Sequence, residues 1–311
     1  MGVIVQRAGV FTTVQDLGRP GYRAIGVPLS GAMDSLAARV ANLLVGNSEN
    51  AATLEFTMVG PALVFARDAL VAMGGGDFGA VPLWQPVAVK AGERLDFTAV
   101  RRLYRGYLAV AGGFAVEPVM GSRSTFVRAG FGGFQGRVLR DGDVLPVADC
   151  SRRAVGQWHL DTRILPAYSA TPEVRVVLGA QSQEFGETLF TAEFKVTAKS
   201  DRMGVRLAGP SLSRKCNAEL ASSTVAPGTI QVPPDGQPIV LMADAQTIGG
   251  YPQVAHVIST DLPLVAQLRP GDTLRFREVS LEEAHELARD RESTLGLLRK
   301  GLAGKFTDAP G

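Results

Sequence analysis

The chain has 311 residues, with 32 Lys and Arg against 30 Asp and Glu, a formal net charge of +2 and 46% hydrophobic residues. This is the composition of a folded globular protein of about two domains, with no electrostatic reason to bind nucleic acid or an anionic membrane surface. Two cysteines, Cys150 and Cys216, and three scattered histidines exclude a disulfide framework, a multi-thiolate zinc centre and a histidine-rich metal site.

The opening residues lack a basic segment followed by an apolar run of signal length, and Gln6 stands where a myristoylation signal needs Ser or Thr. No apolar stretch approaches the ~18 residues of a membrane span, so a cytoplasmic protein is expected. Strands are expected at 3–6, 53–59, 62–65, 69–73, 107–110, 173–178 and 238–243, with a proline-interrupted strand within 81–89. Residues 34–45 place Leu36, Val40, Leu43 and Leu44 on one helical face, with Asp34 to cap and Gly46 to stop the helix. A short helix is expected at 182–190. A longer amphipathic helix is expected at 280–299, where Ser280 and Glu283 form a capping box. Residues 301–311 read as a frayed tail.

Three segments recur at nearly constant offset: Gly26–Gly31 with Gly204–Gly209, Gly74-Gly75 with Gly249-Gly250, and Gly92–Phe97 with Gly271–Phe276. Together they raise a tandem duplication. The expected division is an N-terminal β domain at 1–150, a linker at 151–172, a second β domain at 173–279, and a C-terminal helix and tail at 280–311.

Polar, glycine-rich loops carry the candidate chemistry. Residues 12–34 lead into a helix N-terminus, a place that favours anions. Arg19, Ser30 and Asp34 could line a carboxylate or phosphate site there, or Asp16 and Asp34 could be turn and cap residues of a structural loop. Residues 121–125 (Gly-Ser-Arg-Ser-Thr) and 130–137 (Gly-Phe-Gly-Gly-Phe-Gln-Gly-Arg) add Arg123, Ser124, Thr125 and Arg137. Arginine pairs bidentately with carboxylate or phosphate, though solvated arginines on hairpin turns fit equally. Ser200–Gly204 and Ala243–Pro252 contribute Asp201, Arg202, Asp244, Gln246 and Tyr251. His256, between Val254 and Ile258, reads as a core or surface histidine. No Walker A loop, Rossmann fingerprint or nucleophile elbow is present.

The runs TTVQDLGRPGY, GVPLSGAMD, ANLLVGN, GSRST, GGFQGR, SDRMGVRL, PGTIQVPPDGQPIVLMADAQTIGGYP and LRPGD resemble the biotin-dependent carboxyltransferase family, which includes KipA and proteins described as allophanate hydrolase subunit 2. The resemblance runs from about Thr12 to Phe276. It implies a mainly β fold with a few helices, built as two tandem cyclophilin-like β-barrel domains. It also implies a component of an ATP-dependent 5-oxoprolinase, inactive alone, that converts 5-oxo-L-proline to L-glutamate. Its partners would be two further subunits, one KipI-like and one LamB/YcsF-like. ATP, with Mg, would act in the complex. Biotin would arrive only on a separate carrier, because the chain has no biotinyl-lysine motif. Two alternatives are a KipA-type regulatory protein antagonising a kinase inhibitor and the carboxyltransferase component of a urea carboxylase-like system. Within the enzymatic reading, Asp34, Asp201 and Asp244 are the catalytic carboxylates. Arg19, Ser30, Arg123, Ser124, Thr125, Arg137, Arg202, Gln246 and Tyr251 bind substrate or phosphate. Ile248 departs from the family pattern, where a second Thr is common, and so weakens a hydroxyl role at that position.

Overall fold

The computed structural model describes residues 2–98, 100–216 and 219–308. The final residues of the expected tail, 309–311, lie outside the described residues. The chain divides into two compact units. One holds Ser30–Leu165 together with the segment that ends at Arg19 and the one that begins at Leu295. The other holds Pro20–Leu29 and Pro166–Thr294.

Two antiparallel sheets build the first unit. The larger runs, in spatial order, Phe11–Gln15, Thr53–Thr57, Arg102–Val110, Ala69–Asp77 and Pro86–Val89. The smaller runs Arg94–Asp96, Ala62–Phe65, Gly2–Arg7 and Val144–Pro146. Strand side chains alternate between faces. Leu54, Phe56, Val71, Met73 and Leu108 therefore face Val3, Val5, Leu63 and Phe65 in a shared core. The intervening residues Leu70, Ala72, Tyr107 and Ala109 point the other way, onto helix α1, Ser35–Leu44.

Helix α1 forms as its sequence predicts. Asp34 accepts the Ala37 N–H at 2.9 Å, and the Gly46 N–H returns to the Leu43 carbonyl at 3.0 Å. Its apolar face buries Leu36, Val40 and Leu44, each stabilising by about 2 kcal/mol. The helix lies close to the sheet because Gly74 has no side chain. A Cβ there would stand 2.6 Å from the Ala37 carbonyl oxygen.

The second unit closes a seven-stranded barrel in the order Glu173–Leu178, Gln253–Val257, Thr229–Gln231, Ile239–Leu241, Gly204–Ala208, Phe194–Val196 and Thr273–Glu278. The last strand returns to pair in parallel with the first. Val174, Val176, Phe194, Leu207, Ile230 and Phe276 are among its buried side chains. Two short helices, α2 (Thr188–Thr191) and α3 (Leu262–Ala266), also belong to this unit. The last helix, α4, spans Leu281–Leu302, and Ser280 Oγ accepts the Glu283 N–H at 3.0 Å.

The mainly β fold with few helices is as expected, with four helices among the described residues. Three local expectations need correction. The helix expected at 182–190 splits around Gly186 into a 3-10 turn, Ser182–Glu184, and α2; Phe185 is buried just after the turn and Leu189 within α2. The tail is not frayed through its described part. Phe306–Asp308 pairs with Arg152–Ala154, and the Phe306 ring packs edge-on against Trp158 at 5.8 Å. Two of the three repeat matches fail, since Gly26–Gly31 is loop where Gly204–Ala208 is strand, and Gly74-Gly75 lies inside a long strand while Gly249 ends a two-residue one. The third match is a turn opening a strand in both places, which turn chemistry produces without duplication. No helix among the described residues is long and apolar enough to cross a membrane.

Candidate functional site

Asp16 organises the first unit. The chain leaves the Phe11–Gln15 strand there, and the buried carboxylate gathers donors from a loop more than a hundred residues away. It accepts Ser122 Oγ at 2.7 Å, the Arg123 N–H at 2.6 Å, the Gly18 N–H at 2.8 Å and the hydroxyl of Ser124. A buried carboxylate is tolerated when several donors satisfy its lone pairs. Ala32 N–H donates to the Asp16 carbonyl at 2.8 Å, so the Ser30–Asp34 segment is fixed to the same place.

Arg19 is fully buried beside this centre. Its guanidinium donates to the Ser124 carbonyl and stands 4.9 Å from the centroid of the Phe131 ring. The glycine-rich loop reaches Ser124 and Thr125 through Gly132 and Gly133. A Cβ at Gly133 would stand 1.8 Å from Thr125 Oγ1, and its φ of +53° is one that glycine adopts freely. Thr125 itself donates its hydroxyl to the Val14 carbonyl at 2.9 Å. Three of the polar segments read from sequence, 12–34, 121–125 and 130–137, thus meet in one unit.

Ser30 Oγ and Gln15 Oε1 are buried here with no hydrogen-bond partner among the described residues. Ser30 is also held at φ +53° although it carries a side chain. Strain of this kind clusters at functional loops.

Sequence reasoning missed Glu55 and Tyr107. Both are buried beneath the Ser30–Asp34 segment. Glu55 accepts the Met33 N–H at 2.8 Å and the Tyr107 hydroxyl at 2.9 Å, and that hydroxyl accepts the Asp34 N–H at 2.8 Å. Burial, then the charges of Glu55 and Asp34, push the Tyr107 phenol well above its ordinary range, so it stays a neutral donor. A lone Glu in the apolar strand Thr53–Thr57 was the available signal.

The remaining expected residues lie elsewhere or are committed to their own structure. Arg123 is half-buried, its Nε donating to the Val116 carbonyl at 2.8 Å. Arg137 grips Asp143 with two bonds, at 2.7 and 2.8 Å, which holds that carboxyl below the usual carboxylate range. In the second unit Arg202 and Asp244 form a buried bidentate pair at 2.8 and 3.1 Å. Asp201 is exposed and accepts the Met203 and Gly204 N–H groups, which makes it a turn former. Gln246 donates to Gln231 Oε1 at 3.3 Å. Tyr251 is exposed and lines a cleft of about 600 Å³ with Arg214, Ser211, Ser213, Cys216 and Glu219. His256 Nδ1 lies 3.2 Å from Thr229 Oγ1, and burial lowers its pKa below the ordinary 6.5.

The arrangement around α1 does not fit a triphosphate. The Asp34 carboxylate already occupies the helix N-terminus, and Arg19 is enclosed by protein. Among the described residues no group of three His, Cys, Asp or Glu side chains could hold a metal.

Residues 25–278 match the family described as carboxyltransferase domain, subdomain A and B. The chain is 40% identical to the 5-oxoprolinase C-subunit of Escherichia coli K12 over 296 residues, 92% of this chain and 94% of that protein. It is 38% identical to the 5-oxoprolinase C-subunit of Haemophilus influenzae, over 93% of this chain and 94% of that protein. Among solved structures it is similar to the Kluyveromyces lactis urea carboxylase, with a TM-score of 0.89 and 31% identity over 96% of this chain and 29% of that longer one.

Proposed function

The chain belongs to the carboxyltransferase domain family, subdomains A and B, and from that premise we propose that it is the C-subunit of an ATP-dependent 5-oxoprolinase. The observation that carries this reading is the near end-to-end 40% identity with a relative of that name. Its partners are two further subunits, one KipI-like and one LamB/YcsF-like, and the isolated chain does not turn over substrate. A cytoplasmic location is part of the reading, since ATP is the co-substrate.

ATP would phosphorylate the oxygen of a poorly reactive lactam and make its carbon electrophilic; water adds there, the C–N bond breaks to free the amine, and the acyl phosphate left behind is hydrolysed to carboxylate and phosphate. The residues described above offer no triphosphate site, and the reading gives ATP and its Mg to another subunit. This chain's contribution is to bind and orient the small acid. Ser30 is the residue assigned to substrate contact, because its hydroxyl is buried, strained and unmatched by a protein partner. Asp16, Arg19, Ser124, Thr125, Glu55 and Tyr107 act as positioning residues that hold its loop. Tyr251, exposed in its cleft, is free to meet substrate or partner.

The test is ATP-dependent glutamate release from 5-oxoproline by the purified assembly of all three components. Activity that requires every component supports the reading, and none from a verified assembly overturns it. Ser30→Ala should raise KM more than it lowers kcat; unchanged kinetics would remove Ser30 from the site.

A second reading, the carboxyltransferase component of a urea carboxylase-like system, rests on the 0.89 TM-score. Biotin would then come on another polypeptide. Carboxyl transfer from a biotinylated carrier protein to urea in the presence of this chain would support that reading over the first.

A further inference from the structure

A cavity of about 750 Å³ in the first unit lies away from the Asp16 centre. One wall is the strand Pro86–Val89, the last strand of the five-stranded sheet, with no strand on its far side among the described residues. The other wall is the segment from Cys150 to Trp158, which includes the strand Arg152–Ala154. An apolar strand edge left uncovered is a liability that proteins normally blunt with charge or cover. Here Pro-Val-Ala-Val carries no charge along its length. Lys90, Arg152 and Arg153 line the cavity against a single carboxylate, Asp68, which Lys90 already engages at 2.9 Å. The Trp158 indole N–H, also in this wall, has no acceptor among the described residues.

We propose that this groove docks an extended acidic segment of a partner subunit, which adds to the free edge of Pro86–Val89 as a further strand. Strand addition gives affinity through main-chain hydrogen bonds and specificity through side-chain pockets. The excess of positive charge selects acidic side chains. The inference rests on the reading of this chain as one component of an assembly.

The test uses the full chain, alone and in purified complex with its KipI-like partner, and follows hydrogen–deuterium exchange at residues 84–91 and 150–158. The amides of the edge strand should exchange about tenfold more slowly in the complex. Arg153→Glu should weaken the complex about tenfold, with a reduced dependence on salt, while Arg153→Lys stays within about threefold of the parent. Arg153 is exposed, so neither variant threatens the fold. A complex that forms while these amides exchange as in the free chain overturns the groove and leaves the 5-oxoprolinase reading standing. Failure of any complex to form overturns both. Protection that grows with concentration of the chain alone identifies a second copy as the occupant and also overturns the proposal.

Discussion

Asp16 and Asp244 are both buried carboxylates, yet the two units accommodate them by different means. Asp16 is surrounded by neutral donors, two serine hydroxyls and two backbone N–H groups, most of them from residues 122–124. Asp244 has an arginine, 42 positions earlier in the chain, that meets it with two parallel bonds. Many weak dipoles from a distant loop tie that loop down. One strong ion pair fixes two side chains and depends on excellent geometry to offset the desolvation of both. The first unit therefore uses its carboxylate to assemble loops, and the second uses its pair to lock a barrel end.

Single substitutions separate the two arrangements. The largest loss is expected for Arg202→Ala, which leaves Asp244 charged and buried without its guanidinium, about 3–5 kcal/mol by urea denaturation. A loss below about 1 kcal/mol would mean that water reaches the site and the pair is not locked. Asp16→Ala should cost about 3 kcal/mol, since hydroxyls and N–H groups are stranded together. It should also raise proteolytic cleavage within 121–136, and unchanged cleavage would deny Asp16 its organising role. Gly133→Ala should cost about 2 kcal/mol, because the new methyl collides with Thr125 and the backbone is held at positive φ. Arg137→Ala should cost less than about 1 kcal/mol and leave assembly activity unchanged, as expected of a partly exposed pair outside the centre.

The smallest effect concerns pH in the barrel unit. Burial depresses the folded-state pKa of His256, so the unfolded chain binds its proton more readily. The stability contributed by the neutral ring is present above about pH 6.5 and is lost as pH falls toward the folded value. The melting temperature should decline across that acidic window, and His256→Gln should flatten the decline. An unaltered slope would assign the effect to other groups.

Local chemistry made much of the fold legible. The α1 face, its Asp34 cap, the Ser280 box and most strands followed from periodicity and turn residues. The parallel closure of Glu173–Leu178 on Thr273–Glu278 did not, because each strand alternates normally and neither carries a mark of its partner. The polar loops of the site were visible as unusual composition. Whether an arginine in such a loop is buried is decided elsewhere. Arg19 is enclosed by Phe131 and Ser124, over a hundred positions away. Asp201 and Arg202 are adjacent in sequence, yet one forms an exposed turn and the other a buried ion pair.

The pairing of Phe306–Asp308 with Arg152–Ala154 has a consequence for biosynthesis. The strand at 152–154 leaves the ribosome well before its partner at 306–308, with Pro166–Thr294 of the second unit made in between. The first unit therefore waits for most of the second to be synthesised before this hydrogen-bonded pair can form. A nascent chain stalled shortly before residue 306 would expose the apolar face of Trp158 that Phe306 later covers.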